Sequence, residues 1–196
     1  MSEFNTIDWY DKNAENWSVL ADGDDMSWPY SDFLSALPKT PAHILDLGCG
    51  NGRDILYFQK KGHFVDGIDG SKELCKYAEK SSNTQIYQQN FSQLKLKKNH
   101  YDGIFANAIL MHIEPQDRIN FLDQVFCGLC KNGVFYAHYP KGSESTLADD
   151  GRLLHLTPDW PLLAKTYNWN LELHEGRPQF LLPEDQNWEV IRFRKN

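Results

Sequence analysis

Several absences narrow this sequence before any motif is read. No apolar run approaches the ~20 residues that a membrane-spanning helix needs. The opening Met1-Ser2-Glu3-Phe4-Asn5 has neither the basic stretch nor the apolar core of a secretory signal, so the expectation is a cytoplasmic protein with no membrane partner. Cysteine is sparse: Cys49, Cys75, Cys127 and Cys130 are the four, and without a secretory signal they read as free thiols. Cys127 and Cys130 form a C-x-x-C, but no second ligand pair lies nearby in sequence. They read as two thiols on one helix face, and no metal site is expected. Positive charge is in deficit, 20 Lys and Arg against 27 Asp and Glu for a net −7, which argues against a nucleic-acid partner. The short basic run Lys95-Leu96-Lys97-Lys98 reads as a solvated turn. Small-molecule substrates are favoured over phosphate backbones. No repeat or low-complexity linker divides the 196 residues, so a single domain over 1–196 is expected, as a monomer or a homodimer.

What is present centres on Ile44-Leu45-Asp46-Leu47-Gly48-Cys49-Gly50-Asn51-Gly52-Arg53-Asp54. An apolar strand runs through an acidic residue into alternating glycines, and an amphipathic helix follows. Glycine reaches positive φ cheaply and carries no Cβ, so such a run lets backbone approach a ligand closely. N–H groups at the following helix start can meet polar groups of that ligand. A dinucleotide fingerprint wants glycine at the sixth position of its motif. Counting from Gly48 that position is Arg53, and counting from Gly50 it is Ile55, so neither frame fits. The pattern that stands, D-x-G-x-G-x-G from Asp46 to Gly52, resembles motif I of the class I S-adenosylmethionine-dependent methyltransferases. There the loop, here Gly48, Cys49 and Gly50, wraps the methionine and ribose part of S-adenosyl-L-methionine. A carboxylate at the strand end, Asp46, suits the cationic amino group of a methionine moiety.

Strands alternate with helices along the chain, which predicts an α/β fold with a parallel sheet covered on both faces. Strands are expected at 43–47, 64–69, 84–88, 103–107 and 134–139, with helices at 52–61, 71–80 and 115–130 between them. Ser71 is a good N-cap. Beyond a polar loop at 142–151, a helix is expected at 158–167 and alternating strands at 168–175 and 188–193, joined by the Pro-containing stretch 176–183. The family resemblance implies a Rossmann-like, seven-stranded, mostly parallel sheet of order 3-2-1-4-5-7-6 with strand seven antiparallel. Ahead of this core, 6–20 and 30–37 read as helices, the first rich in aromatics (Trp9, Tyr10, Trp17). The resemblance makes 1–42 a cap over the cofactor, 43–139 the cofactor-binding core, and 140–196 the substrate-side loop and last strands.

Asp69 ends the second strand about 20 positions after the glycine loop, where a carboxylate accepts hydrogen bonds from both ribose hydroxyls. Gly70 follows it. An NAD-dependent oxidoreductase would use the same ribose contact, and a non-catalytic cofactor-binding module would use every contact named so far. After the third strand the resembling family places an acid for the adenine amino group beside an apolar residue; Asn90 and Phe91 stand there. After the fourth comes Asn107-Ala108-Ile109-Leu110-Met111-His112, motif IV by position but without the Asn/Asp-Pro-Pro-aromatic signature of many nucleic-acid amino methylases. Asn107 is a cofactor candidate and His112 a candidate general base. His138 and Tyr139 sit at the carboxyl end of the fifth strand, the edge where ligands bind, and one of the two should point into the core. Glu144, Arg152 and His155 follow, with Arg152 able to pair a substrate carboxylate. The stretch 101–112 looks like that of small bacterial methyltransferases related to the tellurite-resistance type.

Overall fold

Strands that are apolar on both faces are stable only when both faces are covered, and the three central strands here are of that kind. The computed structural model describes residues 6–23, 25–140, 146–148, 152–155, 158–178 and 187–196. In chain order the elements are α1 (Thr6–Ala21), α2 (Ser27–Ala36), β1 (His43–Leu47), α3 (Arg53–Lys60), β2 (Phe64–Asp69), α4 (Lys72–Ser82), β3 (Ile86–Gln88) and β4 (Tyr101–Asn107). Then follow α5 (Arg118–Gly128), β5 (Leu129–Pro140), β6 (Thr146–Leu147), β7 (Leu153–Leu154), α6 (Trp160–Tyr167), β8 (Asn170–Pro178) and β9 (Asn187–Arg194). Seven strands form one sheet in the order β3-β2-β1-β4-β5-β9-β8. The first five run parallel, while β9 is antiparallel to both of its neighbours. This is the order that the family resemblance implied, with β8 and β9 as strands six and seven.

Alternation along each strand sorts the core into two layers. Ile44, Phe105, Val134 and Tyr136 face Tyr30 and Phe33 of α2 and Ile55 and Phe58 of α3. Leu45, Leu47, Ile104, Phe135 and Tyr139 face Phe121, Leu122 and Val125 of α5 and Trp160 of α6. Each large apolar side chain so buried stabilises the fold by about 1.5–3 kcal/mol. Gly103, mid-strand in β4, makes room for this packing. A Cβ there would lie 2.7 Å from Phe33 Cζ and 2.5 Å from Leu37 Cδ2.

Ser71 caps α4 as expected, its hydroxyl accepting from Leu74 N at 3.1 Å. The end of α5 differs from expectation. The helix stops at Gly128 because its last carbonyls are satisfied by the turn into β4: Asn99 N donates to Cys127 O (2.9 Å) and His100 N to Gly128 O (2.8 Å). Leu129 then pairs with Tyr101, the ladder breaks where Asn132 turns left-handed (φ 63°), and pairing resumes at Gly103 and Val134. Cys130 therefore lies in β5, and the two thiols do not share a helix face. Thr146–Leu147, inside the expected polar loop, pairs with Leu153–Leu154 just beyond it as a short antiparallel ribbon. Glu144 and residues 179–183 lie outside the described residues. The parallel strands deliver the glycine loop, Asp69, Asn90, Asn107 and His138 to one edge of the sheet.

Candidate active site

Beyond β1 the chain folds back over the end of β2: Gly48 N and Cys49 N both donate to Ile68 O, at 2.8 and 3.0 Å. Gly48 holds φ 82°, and a Cβ on it would lie 2.1 Å from Ile109 Cγ2, so this loop passes hard against the segment that follows β4. Asp69 ties the loop from below. Its Oδ2 accepts from Gly50 N (2.9 Å) and its Oδ1 from Ser71 N (2.8 Å). Burial raises the Asp69 carboxyl to about 6 against the opposing pull of the Ser71, Gly50 and Gly70 amides. Asp46, 1% exposed, projects from β1 on the α3 side of the sheet. The Ile55 amide supports its carboxylate, yet burial and the neighbouring Asp54 push its pKa well up. Its Oδ2 accepts no hydrogen bond among the described residues. Cys49 gives the loop only backbone, since its buried thiol lies against Gly67.

Along the edge, Phe91 is half-buried with its ring edge-on to Phe121 and its tip beside Gly48. The Asn90 side-chain oxygen accepts from Ser92 N and Oγ, both at 3.0 Å, capping a single 3₁₀ turn over Phe91–Gln93. Gly70 lies under Ile7 of α1, where a Cβ would sit 3.2 Å from Ile7 Cδ1. Asn107 ends β4, and Ala108 beyond it is left-handed (φ 55°), held by Ala108 N donating to His138 O at 2.7 Å. A non-glycine residue at positive φ is a strained position of the kind that gathers at functional sites. Asn107 Oδ1 lies 3.2 Å from His138 Nδ1, which makes that nitrogen the donor and leaves Nε2 with the lone pair. The His138 ring packs on Trp188 at 4.3 Å, and burial lowers its pKa to about 4.

The amino-terminal helix closes over this edge. Asp11 accepts from Ser71 Oγ and, at 3.1 Å, from Glu73 N at the start of α4. Asn51 Nδ2 reaches Ser18 O (3.0 Å) and Asp22 Oδ1 (2.9 Å), and Arg53 donates to Ala21 O. Thus pinned, α1 turns Trp9, Tyr10 and Trp17 toward Arg152, whose guanidinium lies 5.0, 5.9 and 4.9 Å from the three ring centroids. Arg152 Nη1 donates to Tyr10 OH at 3.0 Å, and that hydroxyl lies 2.9 Å from His112 Nε2. The Tyr10 hydroxyl thus bridges the Arg152 guanidinium and the His112 ring. Tyr30, by contrast, is packed in the core and donates to Asp54.

A profile for a methyltransferase-domain family matches residues 44–133, the stretch from β1 through the start of β5. An uncharacterized methyltransferase of Staphylococcus carnosus is 24% identical over 169 residues, 85% of this chain and 72% of the relative. The chain spans only about half the length of two further curated relatives, 47% and 50%. Among solved structures, Burkholderia thailandensis 1,6-didemethyltoxoflavin-N1-methyltransferase, with 1,6-didemethyltoxoflavin and S-adenosylhomocysteine bound, superposes with TM-score 0.75 at 21% identity. That match covers 94% of this chain and 84% of the other. Over residues 44–133 the chain is similar to a methyltransferase domain, and its fold is that of these S-adenosylmethionine-dependent methyltransferases. A TehB-like S-adenosylmethionine-dependent methyltransferase of Corynebacterium glutamicum has the same fold, with TM-score 0.70, 22% identity and coverage of 94% and 99%. A methyltransferase domain with this fold implies S-adenosyl-L-methionine as the cofactor.

The residues present fit that cofactor. The buried Asp46 oxygen without a donor is a place for an ammonium group, and each Asp69 oxygen has one lone pair left after its amide bond. The fold thus gathers Asp46, Gly48, Gly50, Asp69, Gly70, Phe91, Asn107 and His138 at one edge. It turns Tyr139 away, which corrects its place among the candidate bases. Tyr139 is fully buried on the α5–α6 face, donates to Glu189 Oε2 at 2.7 Å, and accepts from Trp160 Nε1. Burial and the Glu189 charge push its pKa far upward. Tyr139→Phe is expected to lower stability by about 1–3 kcal/mol, because two buried polar groups lose their partner, with cofactor affinity unchanged. Urea denaturation beside a cofactor titration checks both halves. His155 is likewise engaged elsewhere, 3.2 Å from Glu114. Among the described residues no helix is long and apolar enough to cross a membrane.

Proposed function

We propose that this methyltransferase moves the sulfonium methyl of S-adenosylmethionine to a small-molecule acceptor by in-line displacement. When bound, the cofactor supplies an already activated methyl group, so the protein has chiefly to align, to exclude water and to remove a proton where the acceptor carries one. The observation that carries this reading is the pair of buried carboxylates beside the glycine loop, Asp46 with a donor-free oxygen and Asp69 bonded to Gly50 N of the loop and to Ser71 N at the start of α4. In this reading Asp46 takes the amino group of the methionine moiety and Asp69 the two ribose hydroxyls. Gly48, Cys49, Gly50 and Gly70 supply close backbone. Phe91 packs on the adenine, with Asn90 beside it and Asn107 at the methyl-transfer edge.

The acceptor lies under α1, against Tyr10, His112 and the Arg152 guanidinium framed by Trp9 and Trp17. His112 is the group assigned to proton removal, being joined to the Tyr10 hydroxyl there. His138 is a poorer base, since burial leaves it unable to hold a proton near neutrality. Its part is to hold the Asn107 side chain. A small acceptor accords with the net charge of −7, and with the 1,6-didemethyltoxoflavin bound in the Burkholderia enzyme.

Calorimetric titration with S-adenosylmethionine, S-adenosylhomocysteine and NAD tests the cofactor half of this reading. Binding of the first two at micromolar affinity, and none of NAD, is expected. The acceptor half is tested by release of S-adenosylhomocysteine in the presence of a small-molecule panel, with nucleic acid as the comparison. Turnover only on DNA or RNA would sink the small-acceptor reading.

A further inference from the structure

At the opposite, amino-terminal edge of the sheet, three chemically matched side chains converge. His43 opens β1, Asp66 sits in β2, and His100 immediately precedes β4. Their donor atoms all lie within 4.8 Å of one another. His43 Nε2 is 3.3 Å and His100 Nε2 3.9 Å from the same carboxylate oxygen, Asp66 Oδ2, and the two imidazole centroids are 4.4 Å apart at 66°.

We propose that His43, Asp66 and His100 bind a divalent transition-metal ion of the zinc type, tying the amino ends of β1, β2 and β4 together. Tetrahedral coordination with bonds of about 2.0–2.2 Å places ligand atoms ~3.4 Å apart, close to the 3.3 and 3.9 Å that the two imidazoles already keep from Asp66. Neither separation is that of a strong hydrogen bond between imidazole and carboxylate. The rings are gathered around the oxygen without being held by it. The donor set, two imidazoles and one carboxylate, is suited to zinc and its neighbours rather than to calcium or magnesium. Tyr101 OH donates to Asp66 Oδ2 at 3.2 Å, the kind of outer bond that orients a ligating carboxylate. All three side chains are about two-thirds buried or more, with 30%, 27% and 32% exposed. They are therefore held in place yet open to an entering ion. His43 and Asp66 also line a cavity of about 520 Å³, together with Lys39, His63 and Asp102, which gives water a route to a fourth coordination position. Residues 43, 66 and 100 have no motif spacing, and only the parallel sheet brings them together.

The test is calorimetric titration of the untagged, chelator-stripped chain with zinc chloride, with thermal melting measured alongside. One ion per chain at micromolar affinity or tighter is expected, with a rise in melting temperature of about 5–10 °C at a hundredfold excess over Kd. His100→Ala should weaken binding about 100-fold or more, and His43→Gln should do the same independently. Cys127→Ser combined with Cys130→Ser should bind as the wild type does. No binding at a one-to-one ratio would overturn the proposal, and so would wild-type affinity in both histidine variants. Loss of binding in the double cysteine variant would move the ion to the thiols and overturn it equally.

Discussion

Gly48→Ala is expected to cost about 2–5 kcal/mol of folding stability and to abolish measurable binding of S-adenosylmethionine. Two penalties add. A side chain in the left-handed region costs about 1–2 kcal/mol, and Gly48 holds φ 82°. Overpacking a filled interior costs a further 1–3 kcal/mol or so, and here the new Cβ would meet Ile109 Cγ2 at 2.1 Å. Ile109 has little room to yield. It is buried, and the backbone before it is fixed by the left-handed Ala108 and its bond to His138 O. The strain therefore falls on the glycine loop, whose amides hold Ile68 O and Asp69. Gly50→Ala is the control. Gly50 is also left-handed, at φ 53°, but a Cβ there has nothing within 4 Å. It should lose only about 1 kcal/mol. Chemical denaturation of both variants decides the matter, because equal losses would mean that backbone conformation alone, and not Ile109, makes the first glycine obligatory.

The geometry of the glycine loop and the two carboxylates beside it was legible because its determinants are local. A strand, an acid, alternating glycines and a second acid at the next strand's end all act within one strand–helix–strand unit, so Asp46 to Gly52 and Asp69 can be read off their spacing. Sheet order was legible only through the family resemblance, since alternation of strands and helices fixes the parallel pairing but not the reversal at β9. The cluster under α1 was far less legible. Tyr10 reaches His112 across 102 positions and Arg152 across 142, and no periodicity encodes such a meeting. Strand alternation required His138 and Tyr139 to face opposite ways, but choosing between them needed the register with β9, which sets Tyr139 opposite Glu189. The end of α5 was misjudged for a similar reason. Asn99 and His100, from the turn before β4, take its final carbonyls.

Asp69→Asn is expected to weaken S-adenosylmethionine binding about 100-fold near pH 8 and to flatten its pH dependence. In the proposed complex the carboxylate accepts four hydrogen bonds, two from Gly50 N and Ser71 N and two from ribose hydroxyls. An asparagine amide keeps one acceptor oxygen and turns an NH₂ donor toward the other amide and hydroxyl. A hydrogen bond to a charged group is worth about 1.5–3 kcal/mol, and ~1.4 kcal/mol is tenfold in affinity. One lost ribose contact, with a loosened Gly50 amide, therefore accounts for the expected change. The wild-type profile follows from the raised carboxyl, which burial holds at about 6. Its charged form is the acceptor, so affinity is full above that value and is lost as pH falls through it, approaching tenfold per unit below. Asp46, raised in the same direction by burial, adds to the fall at the amino group of the methionine moiety. Calorimetry from about pH 8 down to about pH 5 on both proteins makes the comparison, the variant losing the fall centred near 6. A wild-type profile in the variant would remove Asp69 from the ribose and leave it as only the anchor of the glycine loop.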